Sequence, residues 1–355
     1  MLICLPSEAS NPSLGRTHNA GARWRTFLIA LAAIGVAVAT NAAAAEPQNC
    51  KLIRIDEWSV KPDAAVPILD GVINGHKIAV MLDTGLNLKE GALLERAAAR
   101  RLGVPLQPYP GREFAGIGGE TQAAIGIIGE IKIGHATRRN WRVLVGGEDH
   151  GHQGAFIIGN AFFRDIELEF DLAHDAVRLF KSRNCRGVSL AYWATEPAGE
   201  VPIWVDDGHI TVEVLINGKP VRAVLDSGAS TTLLDMSLAG RLGVTKETAG
   251  TLAGRCLRGF GKEGVDSWIG QFETFAIGNE MIRNPKMYFG ELWKHLPLTM
   301  SGFFKVRKYD MPEMILGADF LRAHRLLIAR GHGKLVFTYA GDTVFPTRTS
   351  APCKS

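Results

Sequence analysis

The sequence predicts an all-β chain folded into two pseudo-symmetric lobes, with a few short helices. Three observations carry this. The chain repeats itself: Ile73-Asn74-Gly75 aligns with Ile216-Asn217-Gly218, and Asp83-Thr84-Gly85 with Asp226-Ser227-Gly228, both at an offset of 143. Each copy opens with two β-rich runs separated by Asn-Gly, VPILDGVINGHKIAVMLD and ITVEVLINGKPVRAVLD, a strong hairpin signal. Short apolar runs then recur between glycine turns, as in an all-β domain.

Composition bounds the rest. Of 355 residues, 46% are hydrophobic and 21% charged, which excludes a disordered chain. Forty glycines without a period exclude collagen. The net charge of +4 comes without a long basic run, so no nucleic-acid partner is expected. Five cysteines are too few for a disulfide-built scaffold of this size.

In chain order, the first element is an address. Arg16, Arg23 and Arg25 precede the apolar run TFLIALAAIGVAVA at 26–39, and Ala43-x-Ala45 offers a small-residue cleavage site. This is the pattern of a secretory signal peptide over 1–45. The run is short of the roughly 20 residues of a membrane span. The expectation is therefore export to the periplasm or medium, with membrane contact only through this segment if it stays uncleaved. The remaining 310 residues keep Cys50, Cys185, Cys256 and Cys353, which allow three disulfide pairings. Cys50 and Cys185 bracket the first half and would bridge if its ends meet.

The first copy spans 51–182 and the second 201–341, joined by a linker at 183–200 and followed by a tail at 342–355. Arg101-Leu102-Gly103-Val104 matches Arg241-Leu242-Gly243-Val244 at offset 140, and Ile133-Gly134 matches Ile277-Gly278 at 144. Ile157-Ile158-Gly159 matches Ile315-Leu316-Gly317 at 158, which leaves about 14 extra residues around Leu292–Asp310. A helix is expected over about Leu93–Leu102 and Leu233–Leu242, and a short one after each late glycine, in AFFRD and ADFLRAHR.

The chemistry lies in the acid, hydroxyl and glycine that end each hairpin. A strand leaving a core delivers its terminal carboxylate to a rigid, poorly solvated place, and an adjacent glycine lets a backbone N–H approach it. One D-[TS]-G is a common tripeptide. Two copies, each after an apolar strand and in register with a flanking hairpin, are not.

On these residues the sequence resembles the aspartic peptidases, and within them the retropepsin-like group in an exported, bacterial-looking form. Both copies carry its three motifs. The first has Met81-Leu82-Asp83-Thr84-Gly85, a flap at Gly116-Ile117-Gly118 and the apolar-Gly element Ile157-Ile158-Gly159. The second has Val224-Leu225-Asp226-Ser227-Gly228-Ala229, Gly259-Phe260-Gly261 and Ile315-Leu316-Gly317. Pepsin-like enzymes resemble a single-flap design with a tyrosine in the flap, whereas both flap candidates here lack Tyr. The resemblance thus implies two retropepsin-like units fused into an acid-protease β-barrel fold, a monomer with an internal pseudo-dimer.

The resemblance implies an endopeptidase that hydrolyses peptide bonds of a peptide or protein substrate. Asp83 and Asp226 would share one proton and activate a water, without cofactor or metal. Thr84 and Ser227 would bond across the interface, Gly85 and Gly228 would donate N–H groups to the carboxylates, and the flaps would close on an extended peptide. Leu86 departs from the family's small residue and would narrow a pocket or tilt Asp83. Asn160 and Asp319 also differ from the group's usual polar pattern, and Asp319 reads as structural.

Other motifs are weaker. Asp149-His150-Gly151-His152 reads as a solvated loop before a metal site, and Lys305-Val306-Arg307-Lys308 as a charged loop. Gly116-Ile117-Gly118-Gly119 lacks the Gly-Lys-Ser/Thr ending of a phosphate loop. No G-x-S-x-G elbow occurs, so Ser227 is a neighbour of the dyad and not a nucleophile. A different class of function is a catalytically silent relative that binds peptides or cell-envelope partners in the interlobe cleft. A third is a two-lobed structural protein.

Overall fold

The computed structural model describes residues 2–4, 49–147, 155–206, 208–296 and 311–353. The signal segment apart from 2–4, the His150/His152 loop and the 305–308 cluster lie outside them. Among the described residues no helix is long and apolar enough to cross a membrane.

Each lobe grows from its predicted hairpin. Strands Ile68–Ile73 and His76–Asp83 pair around Asn74 and Gly75, whose φ of 49° and 83° are the two left-handed positions of a type I′ turn. Strands His209–Ile216 and Lys219–Leu225 repeat this around Asn217 and Gly218. The asparagine side chains are used alike. Asn74 Oδ1 accepts from the Glu130 N–H at 3.0 Å, and Asn217 Oδ1 from the Glu273 N–H at 2.8 Å.

In the first lobe six strands close a barrel. The long strand Gly119–Ile133 pairs with Ile68–Ile73 on one side and with Ala136–Gly146 on the other. His76–Asp83, Phe156–Gly159 and Ala92–Glu95 complete the ring. In the second lobe the long strands are each broken in two, Ser267–Gln271 and Thr274–Ile277, then Glu280–Arg283 and Lys286–Gly290. A three-residue strand, Leu2–Cys4, pairs with the end of strand Leu106–Gly116.

One expectation is corrected. The helices expected from Leu93 and Leu233 begin later, at Arg96–Arg101 and Met236–Arg241. Leu93–Leu94 and Leu233–Leu234 are strand, because each pairs on both sides within its barrel. Tertiary pairing overrides the helical spacing of their leucines. After the late glycines, Asn160–Phe163 is a 3-10 turn and Ala318–Ala323 an α-helix.

The lobes are joined by a six-stranded antiparallel sheet with three strands from each copy. Its order is Lys51–Ser59, Ala176–Arg183, Glu167–Asp171, His324–Ala329, Lys334–Tyr339, Gly199–Asp206. The central pair aligns Leu168 with Ile328 and Phe170 with Leu326, so one apolar core runs through both lobes. On this sheet the buried Glu169 accepts from Arg178 at 2.7 Å and from Arg325 of the other copy at 2.9 Å. A buried carboxylate needs such partners to stay charged.

Cys50 is bonded to Cys185, so the ends of the first half do meet. Cys256 is bonded to Cys353, which fastens the second-lobe flap region to the C-terminal tail. Cys353→Ser is expected to cost about 2–4 kcal/mol through the longer unfolded loop. Denaturant unfolding with and without reductant checks this: the gap between wild type and variant should close under reductant, which opens both disulfides in the wild type and the remaining one in the variant.

Candidate active site

Strands His76–Asp83 and Lys219–Leu225 run from exposed hairpin ends into the core and deliver Asp83 and Asp226 side by side. Asp83 is 7% exposed and Asp226 fully buried. Each strand is held from behind by the apolar-Gly element. Leu82 pairs with Ile158 and Asp83 with Gly159, while Val224 pairs with Ile315 and Leu225 with Leu316. The late glycines are required by close approach. A Cβ on Gly159 would lie 2.5 Å from the Leu86 carbonyl oxygen, and one on Gly317 would lie 2.6 Å from that of Thr231.

The hydroxyls bind across the interface in a closed, reciprocal set. Thr84 Oγ1 donates to the Leu225 carbonyl at 2.7 Å and accepts from the Ser227 N–H at 2.9 Å. Ser227 Oγ donates to the Leu82 carbonyl at 2.7 Å and accepts from the Thr84 N–H at 3.0 Å. Six buried polar groups are thereby satisfied by four bonds, and the two aspartate-bearing turns cannot separate without losing all four.

The carboxylates are held equally. Asp83 Oδ1 accepts from the N–H groups of Gly85 and Leu86, both at 2.9 Å. Asp226 Oδ1 accepts from Gly228 at 2.9 Å and Ala229 at 3.1 Å. Leu86 therefore does not tilt Asp83, and its side chain lies in an apolar pocket. The glycines face the opposite acids: a Cβ on Gly228 would meet Asp83 Oδ2 at 2.6 Å, and one on Gly85 would meet Asp226 Oδ1 at 2.6 Å.

Two buried acids joined by a hydrogen bond cannot both ionise cheaply. Burial first, then the charge of Asp226, pushes Asp83 up to about 8. Asp226 accepts the hydrogen bond of Asp83 and that of the Gly228 N–H, an arrangement that favours its charged form. One proton is thus shared by the pair.

The two flap tips meet each other. In the first lobe, Leu106–Gly116 and Gly119–Ile133 form a hairpin that turns at Gly118 and Gly119, with φ of 90° and 109°. In the second, a bridge between Leu257 and Val265 closes an irregular loop through Gly259-Phe260-Gly261. The Gly261 N–H donates to the Ile117 carbonyl at 3.1 Å and the Glu263 N–H to that of Gly118 at 3.0 Å.

Asp319 is structural in its contacts. It accepts from the Thr232 N–H at 2.8 Å, the Thr232 hydroxyl at 2.7 Å and the Phe320 N–H at 2.8 Å, and burial pushes its carboxyl up. Asn160 bridges the lobes, donating to the Gly208 carbonyl at 2.5 Å and accepting from Arg330 at 2.9 Å. Sequence reasoning missed Thr232 and Arg330. The Thr231-Thr232 pair after the second motif offered a weak signal, and Arg330 offered none.

A model of the aspartyl protease family matches residues 69–162 and 212–320, once in each lobe. Among solved structures, a retropepsin-like aspartic protease from Rickettsia conorii is similar to 38% of this chain over 93% of its own, with 18% identity and a TM-score of 0.25. None of the curated proteins matches the chain.

Proposed function

The chain belongs to the aspartyl protease family and has a two-lobed, retropepsin-like fold, and from this premise we propose that it is an exported aspartic endopeptidase with Asp83 and Asp226 as its dyad. The observation that carries the proposal is the pair of buried, mutually hydrogen-bonded carboxylates, each clamped by two N–H groups. Ionised Asp226 takes a proton from a water between the acids as that water attacks the peptide carbonyl. Protonated Asp83 donates to the carbonyl oxygen as it becomes negative. Asp226 then gives its proton to the leaving amine as the C–N bond breaks, Asp83 regains its own from the diol hydroxyl as the new carboxyl forms, and no covalent intermediate arises. Extended substrate lies beneath the flaps and pairs with their backbone. Two disulfides support export, since such bonds persist in oxidising compartments.

The test is digestion of a mixed peptide library by the purified protein from pH 3 to 10. Activity needs one proton on the pair. It should fall above pH about 8, where Asp83 loses its proton, by about tenfold per pH unit. On the acid side activity should fall where the pair takes up its second proton. Folded protein that cleaves nothing across this range would move the assignment to a silent peptide-binding relative.

A further inference from the structure

The flaps exchange their tips. Ile117 of the first lobe is buried in the second among Leu233, Ile269, Tyr288, Trp293 and Ile315. Phe260 of the second lobe is buried in the first among Leu86, Leu93, Ile125, Leu144 and Ile157. The walls are matching positions of the repeat: Leu93 with Leu233, Ile125 with Ile269, Leu144 with Tyr288, Ile157 with Ile315. Each lobe therefore carries the same apolar pocket beside its own aspartate, and each is entered by the opposite flap.

The two pockets differ in three ways, all in one direction. The first lobe has Leu86 where the second has Ala229, so its pocket holds a larger wall. The residue entering it is Phe260 in place of Ile117, which puts a phenyl ring there. The ring is accommodated at Gly147, where a Cβ would lie 2.6 Å from Phe260 Cε2, while the matching position in the second lobe is Glu291.

The ring is also fixed in place. Phe260 lies inside the loop closed by the Leu257–Val265 bridge, four residues after Cys256, which is bonded to Cys353. The Cys353 N–H donates to Asp266 at 2.8 Å, and the tail is pinned again where the Arg348 N–H and carbonyl bond the Tyr288 hydroxyl at 2.7 and 2.9 Å. The first-lobe hairpin has no disulfide among the described residues. Lifting it to admit a peptide withdraws Ile117 and vacates the second pocket, and leaves Phe260 where it is.

We propose that Phe260, together with Leu86, is a specificity-determining wall. It closes most of the first-lobe subsite, so that the substrate class is peptides with a small side chain on that side of the scissile bond. On the other side, the vacated pocket of Tyr288, Trp293, Ile269 and Ile315 takes a large apolar side chain. This rests on the peptidase reading of the same cleft. Filled apolar volume excludes added methylenes by about 10–200-fold per group in selectivity.

The test compares the wild type with Phe260→Ala and Phe260→Leu, each first checked for cooperative thermal unfolding. A peptide library randomised on both sides of one cleavable bond is digested. A matched set with a non-cleavable reduced amide, carrying Ala or Phe at the discriminating position, is titrated for binding. The wild type should cleave and bind the Ala peptide at least about tenfold better than the Phe peptide. Phe260→Ala should erase or invert that ratio, Phe260→Leu should fall between, and neither should change the preference for a large residue on the other side. Identical profiles in wild type and both variants overturn this inference and leave the peptidase reading standing. Binding with the expected selectivity but no cleavage overturns the peptidase reading alone. No binding of any peptide to either folded protein overturns both.

Discussion

Asp226→Asn is expected to lower kcat/KM for a cleaved peptide by about 10³-fold, or about 4 kcal/mol of transition-state stabilisation, and to leave the fold intact. The retained Oδ1 still accepts from Gly228 and Ala229, so the turn keeps both its bonds. What is lost is the carboxylate that takes the proton from water. The negative charge that raises Asp83 is lost as well, so any residual activity should no longer fall at about pH 8. A fluorogenic peptide assay read beside circular dichroism decides the matter. Folded Asp226→Asn protein with near wild-type turnover would sink the dyad. Asp83→Asn adds a stability readout. Asp83 is raised above 3.8, so the folded state keeps a proton that the unfolded chain has released, and stability falls as pH rises from about 4 toward 8. Asp83→Asn should flatten the neutral slope.

Gly85→Ala is expected to cost both activity and stability, because the added methyl has nowhere to go. Its Cβ would lie 2.5 and 2.6 Å from the two oxygens of Asp226, which is fully buried and clamped by its own turn. Relief requires the lobes to part, which stretches the four bonds of Thr84 and Ser227. Overpacking of this kind costs about 1–3 kcal/mol. The displaced carboxylate should lower turnover by about 10²-fold, since small misplacements of reacting groups have effects of that size. Gly240→Ala is the matched control. It lies in the helix Met236–Arg241 with nothing within 4 Å of its Cβ. It should raise stability by about 0.5–1 kcal/mol and leave turnover unchanged. Denaturant midpoints and kcat for both variants separate a steric effect at the dyad from a general intolerance of glycine replacement. If Gly85→Ala behaved like Gly240→Ala, the close packing of the two turns would be disproved.

Much of the site is legible in the residues because it is local and repeated. Each aspartate, its hydroxyl and its glycine are three consecutive residues, and their bonds to Gly85 and Leu86, or to Gly228 and Ala229, span two or three positions. The Asn-Gly hairpins are legible for the same reason. Leu93 and Leu233 show where local reading stops. Their spacing suits a helix, yet strands distant in sequence claim them. Thr232 and Arg330 carry no motif at all, since their roles depend on partners 87 and 170 residues away.

By itself the sequence determined the duplication, the β character and the two acids, because these follow from apolar alternation, turn chemistry and a register that survives 143 residues. The tertiary structure alone decided the pairing of Cys256 with Cys353, the bridging of the lobes by Asn160 and Arg330, and the crossing of Phe260 and Ile117 into opposite lobes. Each of these is set by distance and burial between segments far apart in the chain. Such quantities exist only once the interlobe sheet has brought the two copies face to face.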